Sequence, residues 1–252
     1  MRIEVEEERL LIISDLHVGS PYSEAVQSLG GFLEYARRER FNLCINGDGF
    51  EILQSSFASL AHDSVELLTR MRRLIEEGLS VYYIVGNHDI VFEQFLTGWS
   101  KLAISPFLNV TSGDLRVRIE HGHLYDPSFV RSPKLYELLT RLATPILRLY
   151  PDVYRLFSAW EVLVSRLRAI GKSDKLNADV YVAAASMLAR RGFDCVIFGH
   201  THRAKVVQLA GDATYVNSGG WVRGGSYVEI SDGAVTLKKW DSKTQKPMIE
   251  NT

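Results

Sequence analysis

The chain has 252 residues, with 29 Lys and Arg, 30 Asp and Glu and a formal net charge of −1. This length allows one sizeable hydrophobic core, and we expect a single domain over residues 1–252 that carries an insertion. The near-neutral charge argues against a nucleic-acid partner, because surfaces that follow a phosphate backbone are usually basic.

Cysteine usage and hydropathy point to a cellular compartment. Cys44 and Cys195 each lie in an apolar run, which predicts buried thiols in a reducing environment. The N-terminal residues 1–8 are acidic, unlike the start of a signal peptide. No uncharged apolar run approaches the roughly 18–20 residues that a spanning helix needs. We therefore expect a soluble cytoplasmic protein, with peripheral association with the inner membrane as an open alternative.

Two short apolar runs near the N-terminus end in residues that bind metals. Residues 10–13 predict a buried strand, and Asp15 and His17 follow it on one face because side chains alternate along a strand. Residues 42–46 predict a second strand, and Asp48 follows that one. A carboxylate beside an imidazole is half of a metal site, although a polar strand end, helix cap or turn is also compatible with each pattern.

The third apolar run, residues 81–85, is β-branched and aromatic and predicts a buried strand. It is followed by the tetrapeptide Gly-Asn-His-Asp at residues 86–89. Asn87 offers a neutral amide oxygen to a metal, and His88 offers an imidazole to a reacting group. We expect Asp89 to hold His88 in one tautomer. Taken alone, the tetrapeptide is equally compatible with an ordinary polar turn.

Histidines follow two further strands in the second half of the chain. Residues 115–120 predict a half-exposed strand that ends at His121, and residues 195–198 predict a buried strand that ends before His200 and His202. Two histidines at i and i+2 after a glycine suit two neighbouring metals better than a packing role. Six of the seven histidines of the chain follow predicted strands, a distribution that scattered core histidines would not show.

Helical patterns alternate with these strands. We expect helices over residues 23–40, 59–77 and 174–191, and an α/β sheet with functional groups outside the carboxyl ends of its strands. Glycine-containing turns between residues 205 and 240 predict a finish of antiparallel strands. The polar tail from Ser242 is expected to fray.

One segment, residues 133–171, does not fit this alternation. It is predicted to be helical, it is interrupted by two prolines, and it is more apolar than a one-sided surface helix requires. It is either a helical layer or dimer face, or a lid that binds an anionic lipid and contacts a membrane surface. The candidate substrate-binding residues in this segment are Arg141, Arg148 and Arg155. The sequence does not predict the oligomeric state.

Taken in order, the metal-binding motifs resemble those of the calcineurin-like metallophosphoesterases. The motifs are Asp15-x-His17, Gly47-Asp48, Gly86-Asn87-His88-Asp89, His121 and Gly199-His200-x-His202. The resemblance implies an α/β fold, a four-layer β-sandwich flanked by helices with the helical insert added, and a site for two divalent metal ions. It implies that Asp15, His17 and His202 hold one ion, that Asn87, His121 and His200 hold the other, and that Asp48 bridges them.

Ligand chemistry indicates the metal and the reaction. Carboxylate, amide and imidazole ligands without thiolate suit Mn²⁺ first, with Fe or Zn²⁺ as alternatives. Two such ions activate water for in-line attack on phosphorus, so we expect hydrolysis without a covalent nucleophile. His88 is expected to stabilise charge or to protonate the leaving oxygen.

Two stretches, residues 47–51 and 199–203, also resemble the UDP-2,3-diacylglucosamine pyrophosphatases of lipid A synthesis, as does a cationic insert. The resemblance implies a lipid-linked sugar nucleotide as substrate. That family commonly has Arg at the position of His88 and Asp at that of His123, departures that concern the substrate rather than the reaction. The alternatives are a metallophosphodiesterase acting on a nucleotide or other soluble phosphodiester, and an inactive scaffold of the same fold. No expected ligand is missing, which weighs against the scaffold.

Overall fold

The computed structural model describes residues 4–20, 23, 25–52, 55, 57–95, 97–99, 101–127, 173–222 and 224–249. The predicted insert at residues 133–171, together with Arg141, Arg148 and Arg155, lies outside the described residues. The chain forms two compact units, of which the first comprises Met1–Gly122 and Ser186–Thr252 and the second comprises His123–Ala185. The second unit contains the predicted insert, and the expectation of a single domain stays a prediction.

Outside residues 133–171, the strands and helices that the sequence predicts are present, and further strands occur that it does not predict. The helices are α1 (Ala25–Arg38), α2 (Phe57–Glu76) and α3 (Ser173–Ala189), with short 3₁₀ segments at Ile90–Phe95, His123–Tyr125 and Ala210–Asp212. The strands are β1 (Glu4–Glu6), β2 (Arg9–Ile13), β3 (Asn42–Asn46), β4 (Val81–Ile84), β5 (Thr97–Trp99), β6 (Leu102–Ser105), β7 (Phe107–Ser112), β8 (Leu115–Glu120), β9 (Cys195–Phe198), β10 (Lys205–Gln208), β11 (Thr214–Asn217), β12 (Ser226–Ser231), β13 (Ala234–Asp241) and β14 (Lys246–Ile249).

The larger sheet has eight strands in the order β14-β13-β12-β2-β3-β4-β6-β5. Its centre is parallel, with Leu11 beside Leu43 and Leu43 beside Val81. Because these strands run in the same direction, the loops that follow β2, β3 and β4 leave the sheet at one edge. This places the loops after the first three predicted strands next to one another.

The smaller sheet has six strands in the order β1-β7-β8-β9-β11-β10. Strands β8 and β9 are parallel, with Ile119 beside Ile197. The loops that begin at His121 and Gly199 therefore also emerge side by side. The predicted fold class is confirmed, since the chain is α/β with two sheets.

The strand β2 divides its side chains between two hydrophobic cores. Leu10 and Ile12 belong to the cluster that lies between the sheets, together with residues of β8 and β9 such as Ile197. Leu11 and Ile13 belong to the cluster on the other face of the larger sheet, where α1 and α2 pack. All four β2 side chains are fully buried, and each burial stabilises the fold by roughly 1.5–3 kcal/mol.

The C-terminal strands pair antiparallel with one another as predicted, and residues 242–249 are more ordered than the sequence indicates. Strands β10 and β11 pair antiparallel, and β12 pairs with β13 in the same way. The prediction of a frayed tail from Ser242 is wrong, because Lys246–Ile249 forms β14 against β13. The turn between them is closed by Asp241, whose carboxylate accepts hydrogen bonds from the Lys243 amide and the Thr244 hydroxyl, both at 2.8 Å.

Cys44 and Cys195 are buried free thiols, as predicted. Burial raises the pKa of both thiols, so neither is a reactive thiolate. Among the helices of the described residues, none has the length and apolar character needed to cross a membrane.

Candidate metal centre

Backbone hydrogen bonds fix the loops after β2 and β3 against each other. The Asp15 amide donates to the Gly47 carbonyl at 3.1 Å, and the His17 amide donates to the Asp48 carbonyl at 2.9 Å. The two loops thus extend the parallel pairing of their strands for a few residues beyond the sheet. As a result, the carboxylates of Asp15 and Asp48 and the imidazole of His17 come to one place.

A first group of candidate ligands consists of Asp15, His17 and His202, whose potential ligand atoms all lie within 4.8 Å of one another. His202 Nε2 is 3.3 Å from Asp15 Oδ1, and the rings of His17 and His202 stack with centroids 5.3 Å apart. Asp15 is fully buried and His17 is 7% exposed. Within the described residues, Asp15 Oδ1 and His17 Nε2 are buried without a hydrogen-bond partner. Such atoms are rare in folded proteins, and a bound cation would satisfy both.

A second group consists of Asp48, His121 and His200, again with ligand atoms within 4.8 Å. His121 Nδ1 donates to the Asn46 carbonyl at 2.8 Å, which leaves Nε2 as the ligand atom. That Nε2 lies 3.2 Å from Asp48 Oδ2 and 3.3 Å from Asn87 Oδ1. An unprotonated nitrogen this close to two oxygens would be repelled by them. Either a proton on Nε2 or a metal ion must therefore lie between the nitrogen and the oxygens. Asn87 therefore completes this group.

Asp48 lies between the two groups. Its Oδ2 is 3.9 Å from His17 Nε2 and 3.2 Å from His121 Nε2, and its Oδ1 accepts a hydrogen bond from the His88 amide at 2.8 Å. Burial alone would raise the pKa of Asp48, but the neighbouring His121 and His88 lower it well below its usual range. The neighbouring imidazoles thus favour the charged form of this carboxylate in spite of its burial.

The side chain of His88 pairs with a residue other than the one predicted. His88 Nδ1 donates to Glu51 Oε1 at 2.9 Å, whereas Asp89 makes no hydrogen bond to the His88 ring among the described residues. The Asp89 carboxylate instead accepts hydrogen bonds from the amides of Gly49 and Gly86, at 2.9 and 2.7 Å, and from the Tyr83 hydroxyl. The expected tautomer contact is wrong because the turn after β4 directs Asp89 into the protein.

Glu51 is a candidate functional residue that sequence reasoning missed. It is 3% exposed, and its carboxylate accepts hydrogen bonds from both His88 and His17. Burial opposes its charge, but the hydrogen bonds from His17 and His88 lower the pKa of Glu51 to about 2. A sequence signal did exist, since Glu51 lies three residues beyond Asp48 in the same loop. Only the fold shows that the loop reaches both imidazoles.

Backbone conformation also distinguishes this centre. Residues other than glycine rarely have positive φ, and each such residue costs about 1–2 kcal/mol. Five of the candidate ligands have φ between 46° and 63°, namely Asp15, His17, Asp48, His200 and His202. The left-handed conformation turns the chain sharply as it leaves each strand. The strained backbone positions of these loops thus coincide with candidate metal ligands.

Glycines bring the loops into close approach. Gly47 has φ of +78°, and a Cβ at this position would lie 2.3 Å from His121 Nδ1. A Cβ at Gly86 would lie 2.2 Å from Asp48 Oδ1. Gly47, which precedes Asp48, is therefore required by space as well as by its positive φ, and Gly86, which precedes Asn87, is required by space.

Comparisons with known proteins identify a family and several similar proteins. Residues 8–204 match the family model described as calcineurin-like phosphoesterase. UDP-2,3-diacylglucosamine hydrolases from Shewanella baltica (strain OS195) and Sodalis glossinidius (strain morsitans) are 26% and 27% identical to the chain, over 91% of it and over 96% and 97% of their own lengths. The solved structure of Vacuolar Protein Sorting 29 from Cryptosporidium parvum aligns with a TM-score of 0.47 at 13% identity, over 96% of this chain and 94% of that one.

Proposed function

This chain belongs to the calcineurin-like phosphoesterase family, and from that membership we propose that it hydrolyses a phosphoester or pyrophosphate bond with two divalent metal ions. Metal-dependent phosphoesterase activity is the character of the family. We propose that the number of ions is two, on the basis of the position of Asp48. Asp48 lies within 3.2–3.9 Å of an imidazole nitrogen from each of two ligand groups, as a bridging carboxylate would.

In this proposal, Asp15, His17 and His202 hold one ion, Asn87, His121 and His200 hold the other, and Asp48 is shared. The orphaned Asp15 Oδ1 and His17 Nε2 support the fit of a cation. When bound, the two ions supply Lewis acidity that activates water and offsets the charge of the phosphoryl group. Oxygen and imidazole ligands favour Mn²⁺, with Fe or Zn²⁺ as alternatives.

His88 supplies a proton in this mechanism. Burial would lower the pKa of His88, but Asp48 and the hydrogen bond to Glu51 raise it to about 9. These partners favour the protonated form of the ring, which is the form that a general acid needs. Its Nδ1 is engaged by Glu51, so Nε2 is the nitrogen that donates to the leaving oxygen. Asp89 holds the loops together through its hydrogen bonds and takes no part in this proton transfer.

For the substrate we propose a lipid-linked sugar nucleotide such as UDP-2,3-diacylglucosamine. The support is the similarity to UDP-2,3-diacylglucosamine hydrolases over most of the chain, together with the apolar and arginine-rich composition of residues 133–171. We propose that the same segment contacts the cytoplasmic surface of a membrane. His88, where related pyrophosphatases commonly have Arg, favours a soluble phosphodiester as the second candidate.

The test compares three substrates on one preparation. The purified protein is stripped with a chelator, reloaded with Mn²⁺, and assayed with bis-(p-nitrophenyl) phosphate, UDP-N-acetylglucosamine and UDP-2,3-diacylglucosamine. We expect two ions per chain and the highest kcat/KM on the diacylated substrate. Hydrolysis of the soluble diester alone would contradict the lipid substrate. Two bound ions without hydrolysis of any substrate would favour an inactive scaffold.

A further inference from the structure

The carboxylate of Glu51 lies between two imidazoles and uses a different oxygen for each. Its Oε2 accepts from His17 Nδ1 at 2.8 Å, and its Oε1 accepts from His88 Nδ1 at 2.9 Å. The two rings meet edge to face, with centroids 4.7 Å apart. Glu51 thus connects a candidate metal ligand with the candidate general acid through one buried group.

Each of these hydrogen bonds determines which ring nitrogen faces the centre. A carboxylate only accepts hydrogen bonds, so both δ nitrogens carry protons. The ε nitrogens are then available to bind a metal ion or to donate a proton. For His17 this is the tautomer that a metal requires. One side-chain nitrogen each of His17 and His88 and one carboxylate oxygen of Asp48 lie within 4.8 Å of one another, so both rings face the same small region.

We propose that Glu51 is a positioning residue that allows His17 to bind metal and His88 to donate a proton at the same time. The proposal rests on the assignment of His17 as a ligand. Two acceptor oxygens are necessary, because each ring needs one. A glutamine at this position has one acceptor oxygen and one amide donor, so the two imidazoles would compete for the single oxygen.

The competition predicts an unusual pattern of metal affinities. Glu51→Gln should weaken Mn²⁺ binding by about 10–100-fold, the usual effect of losing a hydrogen-bond partner of a ligand. His88→Ala alone should leave Mn²⁺ affinity unchanged. The double variant Glu51→Gln/His88→Ala should bind Mn²⁺ more tightly than Glu51→Gln, because the amide oxygen becomes available to His17. The second substitution thus restores part of the Mn²⁺ affinity that the first one removed.

Isothermal titration calorimetry of the metal-free proteins with MnCl₂ measures these affinities without any assay of hydrolysis. Glu51→Asp, which keeps two acceptor oxygens, should bind better than Glu51→Gln. The matched control is Glu66→Gln on α2, where an exposed carboxylate pairs with Arg70. This control should bind Mn²⁺ as the wild type does.

A double variant that binds Mn²⁺ as weakly as Glu51→Gln, or more weakly, would overturn the proposal. If Glu51→Gln does not fold, ¹⁵N spectra of the histidines in the wild-type protein loaded with Zn²⁺ decide instead. They should show a protonated Nδ1 on His17 and on His88, and a protonated Nε2 on His17 would contradict the positioning role. If the variants show this pattern of Mn²⁺ affinities but the wild-type protein hydrolyses none of the substrates, the result would count only against the proposed reaction.

Discussion

The carboxylate of Asp89 accepts a hydrogen bond from the backbone amide of Gly49 at 2.9 Å, which joins the two loops that carry Asp48 and Asn87. The same carboxylate accepts from the Tyr83 hydroxyl within β4. Burial, followed by the charge of Asp48, raises the pKa of Asp89 to about 6. Asp89 thus connects two loops from a buried position, and its contribution to stability depends on the hydrogen-bond donors around it.

Tyr83→Phe should destabilise the protein by about 1–3 kcal/mol, because it removes a donor from a buried carboxylate. Urea unfolding of the metal-free protein measures the loss. Tyr227→Phe is the matched control, since the Tyr227 hydroxyl is buried without a hydrogen-bond partner among the described residues. It should be neutral or stabilising. Equal unfolding midpoints for wild type and Tyr83→Phe would show that Asp89 does not depend on this hydroxyl.

Gly47→Ala should reduce both stability and metal binding, and Gly113→Ala serves as its control. Both glycines have positive φ, so each substitution costs about 1 kcal/mol from the backbone alone. Only at Gly47 would the new Cβ meet the His121 ring, whereas nothing lies within 4 Å at Gly113. We expect Gly113→Ala to keep its full metal content. If the two variants lost equal stability and both kept their metal, the close approach would be unimportant.

The strand ends could be predicted because the relevant signals are local. The apolar runs of β3, β8 and β9 have the same boundaries in the structure as in the sequence. The candidate ligands follow those runs directly, so knowledge of the strands was enough to place them at strand ends. The short strand β14 was missed, because Lys246–Ile249 lies within a largely polar tail and pairs as a strand with β13.

The roles of Glu51 and Asp89 could not be predicted because they depend on side-chain direction. Adjacency in sequence suggested that Asp89 would contact His88, but neighbouring residues in a turn point in different directions. The partner comes from another loop, 37 residues away in sequence. Contacts of this kind depend on how loops stack, which the pattern of apolar residues does not encode.

Asp48→Asn should lower metal content and turnover together. The substitution removes the negative charge that both proposed ions share and keeps the size of the side chain. Mass spectrometry of bound metal, alongside hydrolysis of bis-(p-nitrophenyl) phosphate, measures both quantities. A variant with near wild-type activity and two ions per chain would refute the bridging role of Asp48.

His88→Ala should keep its metal but lose turnover by roughly 10²–10⁴-fold, the usual range for a general acid. A p-nitrophenolate leaving group needs little protonation, so its defect should be smaller than that for an alkoxide leaving group. Parallel kcat measurements on the two kinds of substrate test this difference. Loss of bound metal in His88→Ala would instead identify His88 as a ligand.

Residues 133–171 are proposed to bind the acyl chains of a lipid substrate, and charges placed there should affect only such substrates. Leu142→Asp combined with Phe157→Asp should reduce kcat/KM for UDP-2,3-diacylglucosamine and leave bis-(p-nitrophenyl) phosphate hydrolysis nearly intact, because every proposed metal ligand lies outside this segment. Val206→Asp, at a position 48% exposed, controls for the added charge. Metal content and a cooperative melt establish that the variants are folded. Equal losses on both substrates would show that the segment serves the structure and does not select a lipid.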